Sequence, residues 1–319
     1  KLTARAIKSA IRTGIPAQEP VSEASHHVNH YLHLLSHLGA SSESCPPVIH
    51  ISTDEVALAA AKFDLPSGHQ RPIVGLNAGA EYGPAKRWPT EKFVETISGL
   101  HRRFNCHFLL FGGPSDLPTT TRITSGLLEF TNREPGTPPV SLFDLSGKTS
   151  LRELAALLKN CHLLISNDTG PTHLAAAVGT PVVVPFGSTS PELTGPGQPG
   201  SSRHTFVKTE LPCAPCFRRD CPIDFRCMKE IPFERIIEAA AKQLQANDDL
   251  IIAESILANQ TRLPNTGCVS LTVTQLTERL IASYAKAGGI NHLDGTNLPS
   301  KTAIRAITCD LMRLLFPGF

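Results

Sequence analysis

From residue 48 onward short apolar runs alternate with longer amphipathic stretches, and this alternation predicts most of the elements. VIHIS opens the series, followed by a helix that starts on the capping-box pair Ser52 and Glu55. PIVGLNAGA comes next, then a helix that carries Phe93, Val94, Ile97, Leu100 and Phe104 on one side. CHFLLFGG reads as a buried strand, and Ser150 with Glu153 caps the helix LRELAALLKN. CHLLISND and PVVVPFG are two further strands, separated by the short helix PTHLAAAV. Strands alternating with helices imply a parallel sheet covered on both faces, the doubly wound α/β class.

The pattern differs outside that stretch. Residues 1 to 25 are polar and broken by Pro16 and Pro20, after which Val28, Tyr31, Leu32, Leu35 and Leu38 recur at helical spacing up to Gly39. His30, His33 and His37 fall on the opposite face, which reads as a wet polar face, although their spacing would also suit a metal. A helix from Phe233 to Gln245 closes the α/β region, and the Asn-, Asp- and Pro-bearing stretch 246 to 270 reads as a linker. Two amphipathic helices, roughly 271 to 287 and 300 to 316, follow around GGINHLDGTNLP. The division is therefore 1–68 as the remnant of a preceding domain, 69–246 as a nucleotide-binding domain, 247–270 as a linker and 271–319 as a helical extension.

Composition adds limits. The chain has 319 residues, enough for two packed domains, since single cores stop growing near ~250 residues. A net charge of +2 gives no electrostatic case for nucleic acid. The most apolar region, Leu174 to Phe186, is interrupted by Gly179 and Pro181, short of the ~18 apolar residues of a membrane span. The opening KLTARAIKSAIRTG has no signal-peptide core, so the chain is expected to begin inside a longer protein. Nine cysteines, odd in number and irregular in spacing, suit a reducing cytoplasm better than a secreted disulfide scaffold.

Two loops at predicted strand ends carry candidate chemistry. ISNDTGPTHLAAAVGTP sets an apolar strand, a turn with Asp168, Thr169 and Gly170, and a helix that begins at Pro171 and stops at Gly179. Ligands of open α/β sheets lie at the carboxyl ends of strands, where exposed helix-start N–H groups cradle phosphate. A carboxylate suits phosphate poorly, so Asp168 reads either as an acceptor for sugar hydroxyls or as the helix cap. His173 is either a ligand contact or a satisfied, partly buried histidine. In the second loop, NAGAEYGPAKRWP, Lys86 could neutralise a diphosphate leaving group without a metal ion, though a lone lysine is more often solvated surface. Spacing alone carries this as far as generic nucleotide binding.

Cys213, Cys216, Cys221 and Cys227 form a third candidate. The first spacing suits a zinc knuckle, and Arg218 and Arg219 nearby would lower thiol pKa values. Structural zinc, a disulfide or redox-labile thiols, and simply packed cysteines are the open readings.

GAEYGPAKRWP, then LSGKTSLRELAALLKNCHLLISNDTGPTHLAAAVGTPVVVPFGSTSPELTGP, then CAPCFRRDCPIDFRCM resembles, in order and spacing, glycosyltransferase family 9, most of all its heptosyltransferase II group. The resemblance covers roughly residues 25 to 245. It implies a GT-B fold of two Rossmann-like domains, of which this chain holds mainly the donor-binding one while the N-terminal one is nearly all missing. It implies inverting, metal-independent transfer of heptose from ADP-L-glycero-D-manno-heptose to the lipopolysaccharide inner core, with no cofactor required. Lys86 matches the family's diphosphate contact, while Asp168, Thr169, Gly170 and His173 match its donor-contacting turn, and Thr149 falls beside the adenine. The general base would precede residue 1, so the chain by itself is expected to bind donor weakly and not to transfer sugar. The resemblance places the protein in the cytoplasm, at most peripheral to the inner membrane, with the lipopolysaccharide core acceptor as partner at the inner leaflet. The rival readings are another GT-B enzyme that uses a UDP-sugar, and a non-catalytic module. Residues 271–319, with INHLDGTNLPS and the helix ending in LLFPGF, resemble the helical start of serine O-acetyltransferases.

Overall fold

The structure, a computed structural model, describes residues 21–36, 41, 43–66, 71–133 and 138–260, with side chains described only as far as 246 in the last stretch. The two helices expected within 271–319 lie outside the described residues. The chain divides into two compact units, 1–254 and 255–319, and the sheet lies in the first.

Six parallel strands form that sheet: β1 Ile73–Asn77, β2 His107–Phe111, β3 Ser141–Asp144, β4 Leu163–Ser166, β5 Val182–Phe186 and β6 Thr205–Lys208. Their order is β3-β2-β1-β4-β5-β6, so the chain reverses direction across the sheet between β1 and β4. β1, β4 and β5 are buried along their whole length, as apolar runs without polar alternation require. Alternate residues then feed two cores. Val74, Leu76, Phe108, Leu110, Ile165 and Val183 face one side, where α3 (Thr90–Phe104), α4 (Leu117–Arg133) and α7 (Phe233–Gln260) add Ile97, Ile123 and Ile236. Ile73, Leu109, Leu164 and Val184 face the other, covered by α2 (Thr53–Lys62), α5 (Leu151–Asn160) and α6 (Gly170–Ala177) through Ala59, Leu157 and Ala175. The doubly wound α/β class expected from the pattern is the class observed.

Both predicted capping boxes are present, at Ser52 with Glu55 and at Ser150 with Glu153. Gly179 ends α6 with φ +90, a conformation that glycine adopts without steric cost. The helix α1 (His27–Ser36) forms where the Val28 to Leu35 periodicity placed it.

Several features depart from the pattern. VIHIS is not a strand: Val48 is exposed, only Ile51 is buried, and the Ile49 N–H instead donates to the Ala177 carbonyl at the end of α6 (2.8 Å). α7 continues to Gln260, so helix occupies the first part of the stretch expected as a linker. The pattern did not single out β3, β6 or α4. β3 is an edge strand with no fully buried residue, and β6 has one, so neither leaves an apolar run to read.

His204, just before β6, packs against Gly197, where a Cβ would come within 2.7 Å of its Nε2. Burial, and then the neighbouring Arg203 charge, pushes its pKa down to about 4. An unfolded histidine titrates near ~6.5. Between about 4 and about 6.5 the unfolded chain binds more protons than the fold, so this contribution to stability is complete above that window and is lost as pH falls through it. Thermal midpoints should therefore drop from pH 7 to pH 4.5, and His204→Gln should make that drop shallower. An unchanged slope in the variant would rule His204 out as a source of acid sensitivity.

Candidate nucleotide-binding site

The site is built at the carboxyl ends of β1 and β4, where the order of the sheet reverses and a crevice opens in folds of this type. Asn167 follows β4 and is fully buried. Its Oδ1 accepts the Trp88 N–H (3.1 Å) and its Nδ2 donates to the Ala78 carbonyl (2.8 Å), which ties the loop after β1 to the turn after β4. Trp88 is itself anchored by its indole N–H on the Ile231 carbonyl (3.1 Å) and by an edge contact with Phe93. The two loops that carry the candidate residues are thus fastened together by the protein's own bonds, independently of any ligand.

Lys86 ends a short 3-10 turn, Pro84–Lys86, and its Nζ lies 2.6 Å from Asp168 Oδ2 and 5.0 Å from the Tyr82 ring centroid. Thr189, in the loop after β5, donates from Oγ1 to the same carboxylate oxygen (2.8 Å). Asp168 Oδ1 faces His173 Nε2 at 3.9 Å. Asp168 is only 3% exposed, so this is a largely dehydrated ion pair rather than a solvated surface contact. Desolvation is the main cause that holds the His173 pKa below its ordinary value, with Lys86 and His26 acting the same way and Asp168 pulling it up. At neutral pH the ring is a neutral imidazole that can donate or accept.

Beside this pair lies a cleft of about 280 Å³, lined among others by Gly79, Gly113, Asp116, Thr149, Leu154 and Thr169. Asp116 Oδ2 accepts the Gly113 N–H (2.9 Å), and its carboxylate rests so closely on Gly79 that a Cβ there would overlap it. Thr169 is the N-cap of α6 but makes no side-chain cap bond, and nothing lies within 4 Å of where a Cβ on Gly170 would stand. The helix start is therefore open.

Lys86, Asp168 and His173 are drawn together, Thr149 and Thr169 line the adjoining cleft, and Gly170 begins the open helix between them. Of the two readings of Asp168, the helix cap does not hold: Thr169 occupies that position, and the carboxylate is engaged by Lys86 and Thr189. Sequence reasoning missed Asp116, Thr189 and Asn167. All three follow strands in loops rich in Gly, Ser and Asn, a signal that was present but had no apolar pattern to mark it.

In the cysteine segment Cys213 and Cys216 are exposed, Cys221 is half-buried and Cys227 is buried, all as free thiols. Burial raises the Cys227 pKa, and the nearby Cys213, Cys216 and Cys221 add to the rise. Backbone N–H groups, first that of Ile223 and then that of Phe225, lower the Cys221 value. Among the described residues no group of three or more His, Cys, Asp or Glu side chains is arranged to hold a metal ion.

A doubly wound parallel sheet with a cleft at its reversal point, flanked by a dehydrated lysine–aspartate pair, defines an α/β domain of Rossmann-like type. The family model "Glycosyltransferase family 9 (heptosyltransferase)" matches residues 16–225, and the chain belongs to that family. Lipooligosaccharide heptosyltransferase 2 of Campylobacter jejuni subsp. jejuni serotype O:2 is 32% identical over 180 residues, 56% of this chain and 52% of that protein. The Haemophilus influenzae protein of the same name is 37% identical over 127 residues, 40% of this chain and 34% of its own length. The chain thus spans about half or less of these curated relatives. The Escherichia coli ADP-heptose lps heptosyltransferase II structure shares the fold with a TM-score of 0.55 at 23% identity, covering 76% of this chain and 75% of that one. Among the described residues no helix is long and apolar enough to cross a membrane.

Proposed function

We propose that this chain forms the donor-binding half of an inverting, metal-independent heptosyltransferase that moves heptose from ADP-L-glycero-D-manno-heptose onto the lipopolysaccharide inner core. The observation that carries this is the Lys86–Asp168 pair beside an open helix start and a cleft of about 280 Å³, at the place where the order of the sheet reverses. In this reading the helix-start N–H groups and Lys86 take the diphosphate. A cation already desolvated stabilises the charge that develops as the glycosyl bond breaks. Neutral His173 adds a hydrogen bond at the same end. Thr149 and Leu154 bound the base, and Asp116 accepts the ribose hydroxyls. Asp168 is not the general base, because it is nearly inaccessible and already accepts from Lys86 and Thr189. The acceptor would be met at the cytoplasmic face of the inner membrane, with the protein at most peripheral to it.

Calorimetry of the 319-residue chain with ADP, UDP and GDP tests the reading. ADP should bind with preference. Selectivity for UDP would point to another sugar-nucleotide enzyme and overturn the heptose assignment, and no heat with any nucleotide would favour a non-catalytic module.

Within this reading Gly79→Ala is informative, because the new methyl must displace Asp116 from the Gly113 N–H while leaving the core untouched. ADP affinity is expected to fall roughly tenfold, the worth of one good hydrogen bond to a charged group. Thermal melts should barely move. A variant that binds ADP as tightly as the parent would remove Asp116 from the site.

A further inference from the structure

The cysteine segment meets the candidate site through its backbone rather than through its thiols. The Arg219 carbonyl accepts the Ala85 N–H (3.1 Å), next in chain to Lys86. The Phe217 carbonyl accepts the Tyr82 hydroxyl (2.9 Å), on the residue whose ring lies under the Lys86 ammonium. Gly83 sits against the same strap so tightly that a Cβ would come within 2.5 Å of both Arg219 Cγ and the Arg219 carbonyl oxygen. At its other side the strap donates two N–H groups, from Cys216 (3.1 Å) and Phe217 (2.8 Å), to the Ser188 carbonyl. Ser188 directly precedes Thr189, which holds Asp168. The strap therefore touches the loop that supplies Lys86 and the loop whose Thr189 holds Asp168, and it touches them through backbone groups that only a fixed conformation can present.

We infer that the segment from Cys213 to Cys221 is a positioning strap that clamps the Lys86 loop to the Thr189 loop and so holds Lys86 on Asp168, ready for a diphosphate. The inference rests on the donor-site reading only for the identity of the ligand; the clamp itself is a claim about Lys86. Tyr82, Gly83 and Arg219 are its positioning residues. A lysine held by a carboxylate is a poor nucleophile toward an acylating reagent, whereas a released one is not. Clamping should thus be visible without any nucleotide.

The test uses the full 319-residue chain and two variants. Gly83→Ala forces the loop off Arg219, and the milder Tyr82→Phe removes the bond to Phe217 while keeping a ring beneath Lys86. Acetylation by an N-hydroxysuccinimide ester is read by mass spectrometry at Lys86, with Lys62 as internal reference. Lys86 should react about threefold faster or more in Gly83→Ala and detectably faster in Tyr82→Phe, with the reference unchanged, as expected when a charge-assisted bond is loosened. In parallel, Gly83→Ala should weaken ADP binding about tenfold and leave adenosine binding within about twofold, since only the diphosphate meets Lys86. A general loss of folding would instead accelerate acetylation at both lysines and lower both affinities. Unchanged Lys86 reactivity in both variants overturns the strap. If the parent binds no ADP, the donor reading fails while the acetylation arm still decides the clamp.

Discussion

Asp168→Ala is expected to lower the stability of the first unit by about 3 kcal/mol, because it leaves a nearly buried ammonium without its partner. Lys86 is 15% exposed at its side chain and Asp168 4%, so solvent cannot replace the lost carboxylate at little cost, and Thr189 loses its acceptor as well. For a unit of this size, that corresponds to a drop of about 6–12 °C in the thermal midpoint. The same change should abolish measurable ADP binding, but a binding loss in a destabilised protein proves little. The decisive comparison is the double variant Lys86→Met with Asp168→Leu. Removing both charges together removes the desolvation cost along with the attraction, so the double variant should regain most of the lost midpoint while still failing to bind ADP. If instead it is no more stable than Asp168→Ala, the pair is not coupled. If it binds ADP normally, the pair is not the diphosphate site.

How much of this was legible in the sequence depended on what each residue does to the surrounding pattern. Lys86 and Asp168 could be picked out because each lies in a loop that follows an apolar run, and the loops after parallel strands are where ligands of such folds bind. Their mutual bond could not, since 82 residues separate them and only the β1–β4 pairing brings them together. Of the two readings open for Asp168, the same pairing excludes the helix cap. A carboxylate beside an open helix start is expected to cap it, but here the charge of Lys86 wins and Thr189 takes a share. Val48 to Ser52 failed as a strand for the opposite reason. Its apolar residues looked like core, yet only Ile51 is buried, and the backbone of the segment bonds to the Ala177 carbonyl and to the Arg152 and Lys159 side chains rather than to a strand. Edge strands β3 and β6 escaped notice because an edge needs few buried residues. The cysteines drew attention to their side chains, while the contacts that matter to the site run through the carbonyls of Phe217 and Arg219, which no residue-type motif can report.

Asn167→Ala should cost nearly as much as losing Asp168, by a different route. The amide is fully buried and serves the Trp88 N–H and the Ala78 carbonyl at once, with a longer bond to the Gly79 carbonyl (3.4 Å). Truncation leaves both unpaired in a site that water cannot enter freely, at about 1–3 kcal/mol for each group, so a total near ~3 kcal/mol is expected. Because Trp88 stands two residues after Lys86, the lysine loop would also lose its link to the turn that bears Asp168, and ADP affinity should fall with stability. Trp88→Phe provides the control. It removes the indole bond to the Ile231 carbonyl but keeps the backbone N–H on which Asn167 acts. Its thermal midpoint should drop by several degrees while ADP binding at low temperature stays close to that of the parent. Should both variants lose stability and ADP affinity in the same proportion, the Asn167 bridge would be general scaffolding; a selective loss in Asn167→Ala alone marks it as the joint that aligns the two halves of the site.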